Sequence, residues 1–168
     1  MIKNKIKVFI GSDHAGFKLK QKVIKFLSKK KINGQKVDFV DLGNKKYQKN
    51  DDYTDYAKKV GIAVAKAEKK KSKNKVKISH TFGILVCGSS QGVAIAANKI
   101  KGIRATPIFN PKQAKLAREH NNANVLALSG WETNEKNAQK IIDAFLKTQF
   151  SKASRHRRRL NKIKKLEN

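Results

Sequence analysis

The 168-residue chain carries 40 lysines and arginines against 12 acidic residues, a formal net charge of +28, and is 39% hydrophobic. That composition suits one domain with a real core and excludes a wholly disordered chain. No stretch is apolar enough to span a membrane, the lone Cys87 can form no internal disulfide, and the basic start Met1-Ile2-Lys3-Asn4-Lys5 lacks the apolar run of a signal peptide, so a cytoplasmic protein is expected. The charge has two readings. It can mark a nucleic-acid or membrane-surface partner. It can also be composition alone, because lysine and asparagine are scattered along the chain without a recognisable reader motif. The second is preferred, so nucleic acid is possible but not expected.

The pattern alternates. Lys7-Val8-Phe9-Ile10 reads as a short buried strand stopped by Gly11-Ser12-Asp13-His14, and Leu19, Val23, Phe26 and Leu27 recur at helical spacing after it. Val37 to Val40 is a second strand, and Tyr56 to Lys70 a helix with Val60, Ala63, Val64 and Ala67 on one face. A lysine-rich run at 69–77 reads as a solvated loop, with His80 on the surface beside it. Phe82 to Cys87 is the clearest strand, followed by a Gly-rich turn and a helix from Val93 to Asn98. Ile103 to Phe109 is a strand, Pro111 to Glu119 a helix, Val125 to Leu128 a fifth strand and Asn137 to Phe150 a helix. The basic tail from Arg155 to Leu166 is also helical. Alternation of this kind predicts an α/β fold, a mostly parallel five-stranded sheet covered on both faces. Ligands of such sheets bind beyond the carboxyl ends of the strands.

Four segments carry candidate chemistry. Asp13 and His14 stand at a strand end before a helix, where they can hold a sugar hydroxyl and a phosphate; a plain N-cap fits the same residues. In Cys87-Gly88-Ser89-Ser90-Gln91-Gly92 the glycines let several N–H groups converge at a helix N-terminus, a setting for an oxyanion or phosphate and for a lowered thiol pKa. A thiolate there can abstract a proton beside a carbonyl; an inert buried cysteine is the alternative. The same residues fit G-x-S-x-G, the hydrolase nucleophile elbow, with Asp143 and His156 following in order. The short chain, and Asp143 among mid-helix core positions, count against that. His120 ends a helix, as a general acid or base or simply as a partner of the helix dipole. Arg155-His156-Arg157-Arg158-Arg159 can grip phosphate or stand as a solvated tail. No His/Cys cluster has metal-ligand spacing.

Together GSDHAGFKLK at Gly11, CGSSQGVAIAANKIKGIRA at Cys87, AKLAREHNNANVLALSG at Ala114 and SRHRRRL at Ser154 resemble, in order and over nearly the whole chain, the ribose-5-phosphate isomerase B family, which includes galactose-6-phosphate isomerase subunits. The resemblance implies a Rossmann-like three-layer α/β/α sandwich in a homodimer or dimer of dimers, with active sites at the dimer interface. It implies interconversion of ribose 5-phosphate and ribulose 5-phosphate without metal or cofactor. Galactose 6-phosphate or allose 6-phosphate isomerisation, or an impaired nucleic-acid-binding relative, are the alternatives. In the roles it implies, Cys87 is the base between C1 and C2, His120 opens the furanose ring and Ser89 assists proton transfer. Asp13, His14, Tyr53 and Asn121 contact substrate, the turn Gly88, Ser89, Ser90, Gln91 and Gly92 stabilises the enediolate, and Arg155 and Arg159 bind phosphate. The expected organisation is an isomerase domain over 1–152, with the loop at about 69–77, and a basic tail over 153–168 completing a phosphate site.

Three positions depart from the family pattern. Trp131 stands where a phosphate-binding arginine is common, and loss of one such contact costs about 1.5–3 kcal/mol. Ser90 stands at a usual glycine, and Thr54 at a usual proline.

Overall fold

The computed structural model describes residues 5–73 and 78–167. Its elements follow the order β1 (Lys5–Ser12), α1 (Phe17–Lys29), β2 (Lys31–Ile32), β3 (Gln35–Lys36), β4 (Asp38–Asp41), α2 (Tyr53–Lys73), β5 (Ile78–Cys87), α3 (Gln91–Asn98), β6 (Ala105–Pro107), α4 (Pro111–Asn121), β7 (Val125–Ser129), α5 (Glu135–Lys147) and α6 (Ser154–Lys165). Five strands form one all-parallel sheet in the order β4-β1-β5-β7-β6.

Side-chain alternation along the strands sorts the core into two layers. Phe82, Ile84 and Val86 of β5 pack with Leu19, Val23 and Leu27 of α1 and with Ile141, Ile142 and Phe145 of α5. Leu85 and Cys87 face the other way, onto Ala57, Val60 and Val64 of α2 and Val93, Ala94 and Ala97 of α3. The expected α/β/α layering is therefore present, and the strand ends converge along one edge.

Several elements differ from expectation. β2 and β3 form a small antiparallel hairpin through Asn33 (φ 50°) and Gly34 (φ 77°). Asn-Gly in left-handed conformation is the signature of a two-residue hairpin turn, and it went unread in the sequence. Helix α2 runs on to Lys73, so the first part of the lysine-rich run is helical. Lysine is a good helix former, so a lysine-rich run can continue a helix. Residues 74–77 lie outside the described residues. His80 lies within β5, half-buried and stacked on Phe82 with ring centroids 6.0 Å apart, rather than at the surface as expected.

Candidate active site

The carboxyl ends of β1, β5 and β7 are welded together by their backbones. The Asp13 amide donates to the Val86 carbonyl at 3.3 Å, and the Gly130 amide donates to the Cys87 carbonyl at 2.7 Å. A Cβ at Gly16 would lie 2.3 Å from the Val86 oxygen, so only glycine allows that approach. This juxtaposition brings Asp13 and His14 to the strand end that carries Cys87.

Asp13 is buried and its carboxylate accepts from the Gly16 amide at 2.9 Å. It makes an Asx-type turn before α1; the N-cap position itself is Gly16, which has no side chain to cap with. Burial raises the Asp13 pKa above the usual carboxylate value, with the Gly16 amide opposing.

Cys87 is buried and free. Burial pushes its thiol above the ordinary value, the amides of Val93, Ser90 and Ser89 pull the other way, and Asp13 adds to the rise. The sequence argument expected converging amides to lower the thiol pKa. The amides are there, but desolvation of the sulfur outweighs them.

The turn after Cys87 is held tightly. Ser90 is fully buried at φ 68°, a left-handed conformation that costs a residue with a Cβ roughly 1–2 kcal/mol. Its hydroxyl donates to the Ser89 carbonyl. Ser89 Oγ accepts from the Gln91 amide at 3.4 Å, and Gln91 itself is exposed. Tyr53 lies over Gly92, where a Cβ would sit 2.7 Å from its ring, and Trp131 lies over Gly88, where a Cβ would sit 2.5 Å from the indole. Trp131 is nevertheless 74% exposed.

The hydrolase alternative does not fit. Ser90 Oγ is committed to its neighbour's carbonyl, and the Asp143 carboxylate is paired with Lys30 and Lys147. His156 is hydrogen-bonded to Ser151 at 2.8 Å.

Three residues that sequence reasoning missed complete this edge. Asp51 Oδ1 accepts from the His14 amide at 2.8 Å and lies 2.8 Å from His14 Nδ1. Asp51 Oδ2 accepts from Asn44 Nδ2 at 2.9 Å and from the Tyr56 hydroxyl at 3.0 Å. The hydrogen bond to Asp51 raises the His14 pKa against a smaller loss from burial, and the charge of Asp13 adds to the rise. Burial, then the bond to Asp51, pushes Tyr56 up to about 12. A partnership across 37 positions leaves no local pattern; the only signal was an acidic pair, Asp51-Asp52, before a helix.

The other expected site residues are elsewhere. His120 is in the last turn of α4, which returns the chain to the start of β7. Gly83 pairs with Val125 at that end and Cys87 with Ser129 at the other, so roughly 13 Å of strand separates the two edges. His120 packs against the buried His156 of α6 with ring centroids 4.4 Å apart, and Asn121 is exposed next to it. Burial, with the charges of His120, Arg155 and Arg159, lowers the His156 pKa. Arg155 and Arg159 are exposed one turn apart on α6. Within one chain, then, Cys87 and His120 stand at opposite edges of the sheet.

A family model described as Ribose/Galactose Isomerase matches residues 8–163. The chain belongs to this family. It is 42% identical over 156 residues to the probable ribose-5-phosphate isomerase B of Mycoplasma genitalium, covering 93% of this chain and 92% of that one. It is 35% identical over 161 residues to ribose-5-phosphate isomerase B of Escherichia coli K12, covering 96% of each. Among solved structures, ribose-5-phosphate isomerase B from Mycoplasma genitalium with bound ribulose-5-phosphate superposes with a TM-score of 0.83 at 39% identity, over 98% of each chain. The enzyme from Thermotoga maritima gives 0.79 at 41% identity, over 95% of this chain and 97% of that one. Family membership makes the chain an isomerase. Among the described residues no helix is long and apolar enough to cross a membrane.

Proposed function

We propose that the protein interconverts ribose 5-phosphate and ribulose 5-phosphate through an enediolate, as a cytoplasmic homodimer or dimer of dimers whose sites each draw on two chains. The observation that carries this is the buried Cys87 thiol, surrounded by the amides of Ser89, Ser90 and Val93 and bordered by Asp13. A thiol of raised pKa is a strong base once ionised, as abstraction of a carbon-bound proton requires. The relatives named above support the substrate.

In this mechanism His120 of a second copy takes the proton of the anomeric hydroxyl, the C1–O4 bond breaks as the C1 carbonyl forms, and the proton goes to O4, opening the furanose. The Cys87 thiolate removes the proton from C2 of the aldehyde, and the electrons collect on O1. Amides of the turn from Gly88 to Gly92 stabilise that charge, Ser89 assists proton movement between the oxygens, and Cys87 returns its proton to C1. Asp13 and Tyr53 hold the sugar with Asn121 of the second copy. His14 and the second copy's Arg155 and Arg159 hold the phosphate. No step is routed through a metal or cofactor.

The test is conversion of ribose 5-phosphate by the purified protein with a chelator present, beside Cys87→Ala. Turnover that disappears in a folded variant supports the cysteine base, and full activity in the variant overturns it. A folded wild type without turnover overturns the five-carbon substrate and directs the assay to galactose 6-phosphate and allose 6-phosphate.

A further inference from the structure

Asp51 has no role in the chemistry just described, yet its carboxylate accepts four hydrogen bonds and its side chain is only 7% exposed. Two of the donors belong to a single residue, the backbone amide and Nδ1 of His14. Pinning one carboxylate oxygen to both groups fixes the direction of the imidazole as well as its place. Asn44 and Tyr56 hold the other oxygen, so the carboxylate cannot rotate to follow a ligand. With every lone-pair direction occupied, Asp51 is ill suited to bind substrate itself.

The bond at Nδ1 decides what the other nitrogen does. Against a carboxylate Nδ1 must be a donor, so Nε2 is a lone pair in the neutral ring and a donor in the charged one. His14 is 37% exposed through its side chain, and among the described residues nothing bonds to its Nε2. The titratable groups around the ring are Asp51, from the segment before α2, and Asp13, from its own turn; the Tyr47 ring meets it edge-on at 6.4 Å. Both acids favour the charged imidazole.

We propose that Asp51 is a positioning residue that keeps His14 a charged imidazolium with Nε2–H aimed at the anionic end of the substrate. The proposal rests on the sugar-phosphate reading of the site and adds to it the residue that sets the state of His14. A carboxylate beside a phosphate-binding group would otherwise repel the ligand. Here its charge is spent on four donors and reaches the ligand only through the ring.

The experiment is Asp51→Asn, which keeps the shape and removes the charge. His14, assigned in the NMR spectrum with His14→Gln, is expected to titrate at lower pH in Asp51→Asn than in the wild type. KM for ribose 5-phosphate at neutral pH is expected to rise about tenfold, the loss of one charge-assisted hydrogen bond, with a smaller change in kcat. Above about pH 7, where the phosphate is fully charged, the wild-type KM should climb as His14 loses its proton, and the climb should begin at lower pH in the variant. A purely structural role would leave the His14 titration where it was, and that result, or an unchanged KM profile, overturns the proposal. Should Asp51→Asn fail to fold, the wild type decides alone. His14 titrating above the ordinary 6.5 with Nδ1 still protonated in the neutral ring supports the proposal, and titration at or below 6.5 overturns it. The titration needs no turnover, so a wrong substrate would leave the answer about Asp51 intact.

Discussion

Lys20 places its ammonium 2.7 Å from the carbonyl oxygen of Asn44, in the interior, with no exposed side-chain surface. The same nitrogen bonds both oxygens of Asp41, at 3.1 and 3.0 Å. A buried lysine keeps its charge only when paired in this way. Its position on α1, one turn beyond the catalytic edge, ties the segment after β4 to the helix that begins just past His14. Asn44 then passes that anchor to Asp51. Lys20→Met is expected to destabilise the protein by about 2 kcal/mol, because it leaves the Asn44 carbonyl without its interior donor and Asp41 with only Lys45 and the Gly43 amide. Urea unfolding measures this, and a second change, Asp41→Leu, should recover part of the loss.

Two of the perturbed groups at the site, Cys87 and His14, predict the shape of the pH profile. In the proposed mechanism the active form has Cys87 ionised and His14 protonated, and both pKa values are raised, His14 from 6.5 and Cys87 from 9.0. Below the His14 value every rise in pH adds thiolate, so log kcat/KM climbs. Between the two values the thiolate gained is cancelled by the imidazolium lost, and the profile is flat. Above the Cys87 value only imidazolium is lost and the profile falls. Stopped assays across pH test this, and a sharp single optimum below the ordinary histidine value would contradict it.

The separation of Cys87 from His120 predicts complementation. Cys87→Ala and His120→Ala are each expected to be inactive. Co-expressed, random pairing puts half of the dimers in mixed form, each with one intact site and one site lacking both groups. About a quarter of wild-type activity should return, because a two-fold interface presents the same patches twice. No recovery in a verified mixed dimer would mean that the two residues do not meet across an interface.

The sheet was legible because its strands are apolar runs bounded by turns, and local pattern is what a sequence displays. β6 proved shorter than its apolar run, ending at Pro107, and the Asn33-Gly34 hairpin was passed over although its dipeptide signals it. At the site, glycine-rich turns after strands pointed to Asp13, His14 and Cys87. Asp51, Asn44 and Lys20 were not legible, because each acts through a partner far along the chain. The direction of the Cys87 shift was misread for a related reason. The amides that favour a thiolate are local in sequence, whereas the burial that opposes it comes from α2 and α3 packing over the strand.

At Gly16 a Cβ would meet the Val86 carbonyl, and at Gly130 a Cβ would lie 2.5 Å from the Ala15 carbonyl, so three strand-end turns stack main chain on main chain. The approach of the Asp13-His14 turn to the Cys87 strand end is therefore set by main chain against main chain, with no side chain between them to vary. Variation at this strand end is left to the exposed rings set on that main-chain frame: Tyr47 edge-on to His14, Tyr53 over Gly92 and Trp131 over Gly88.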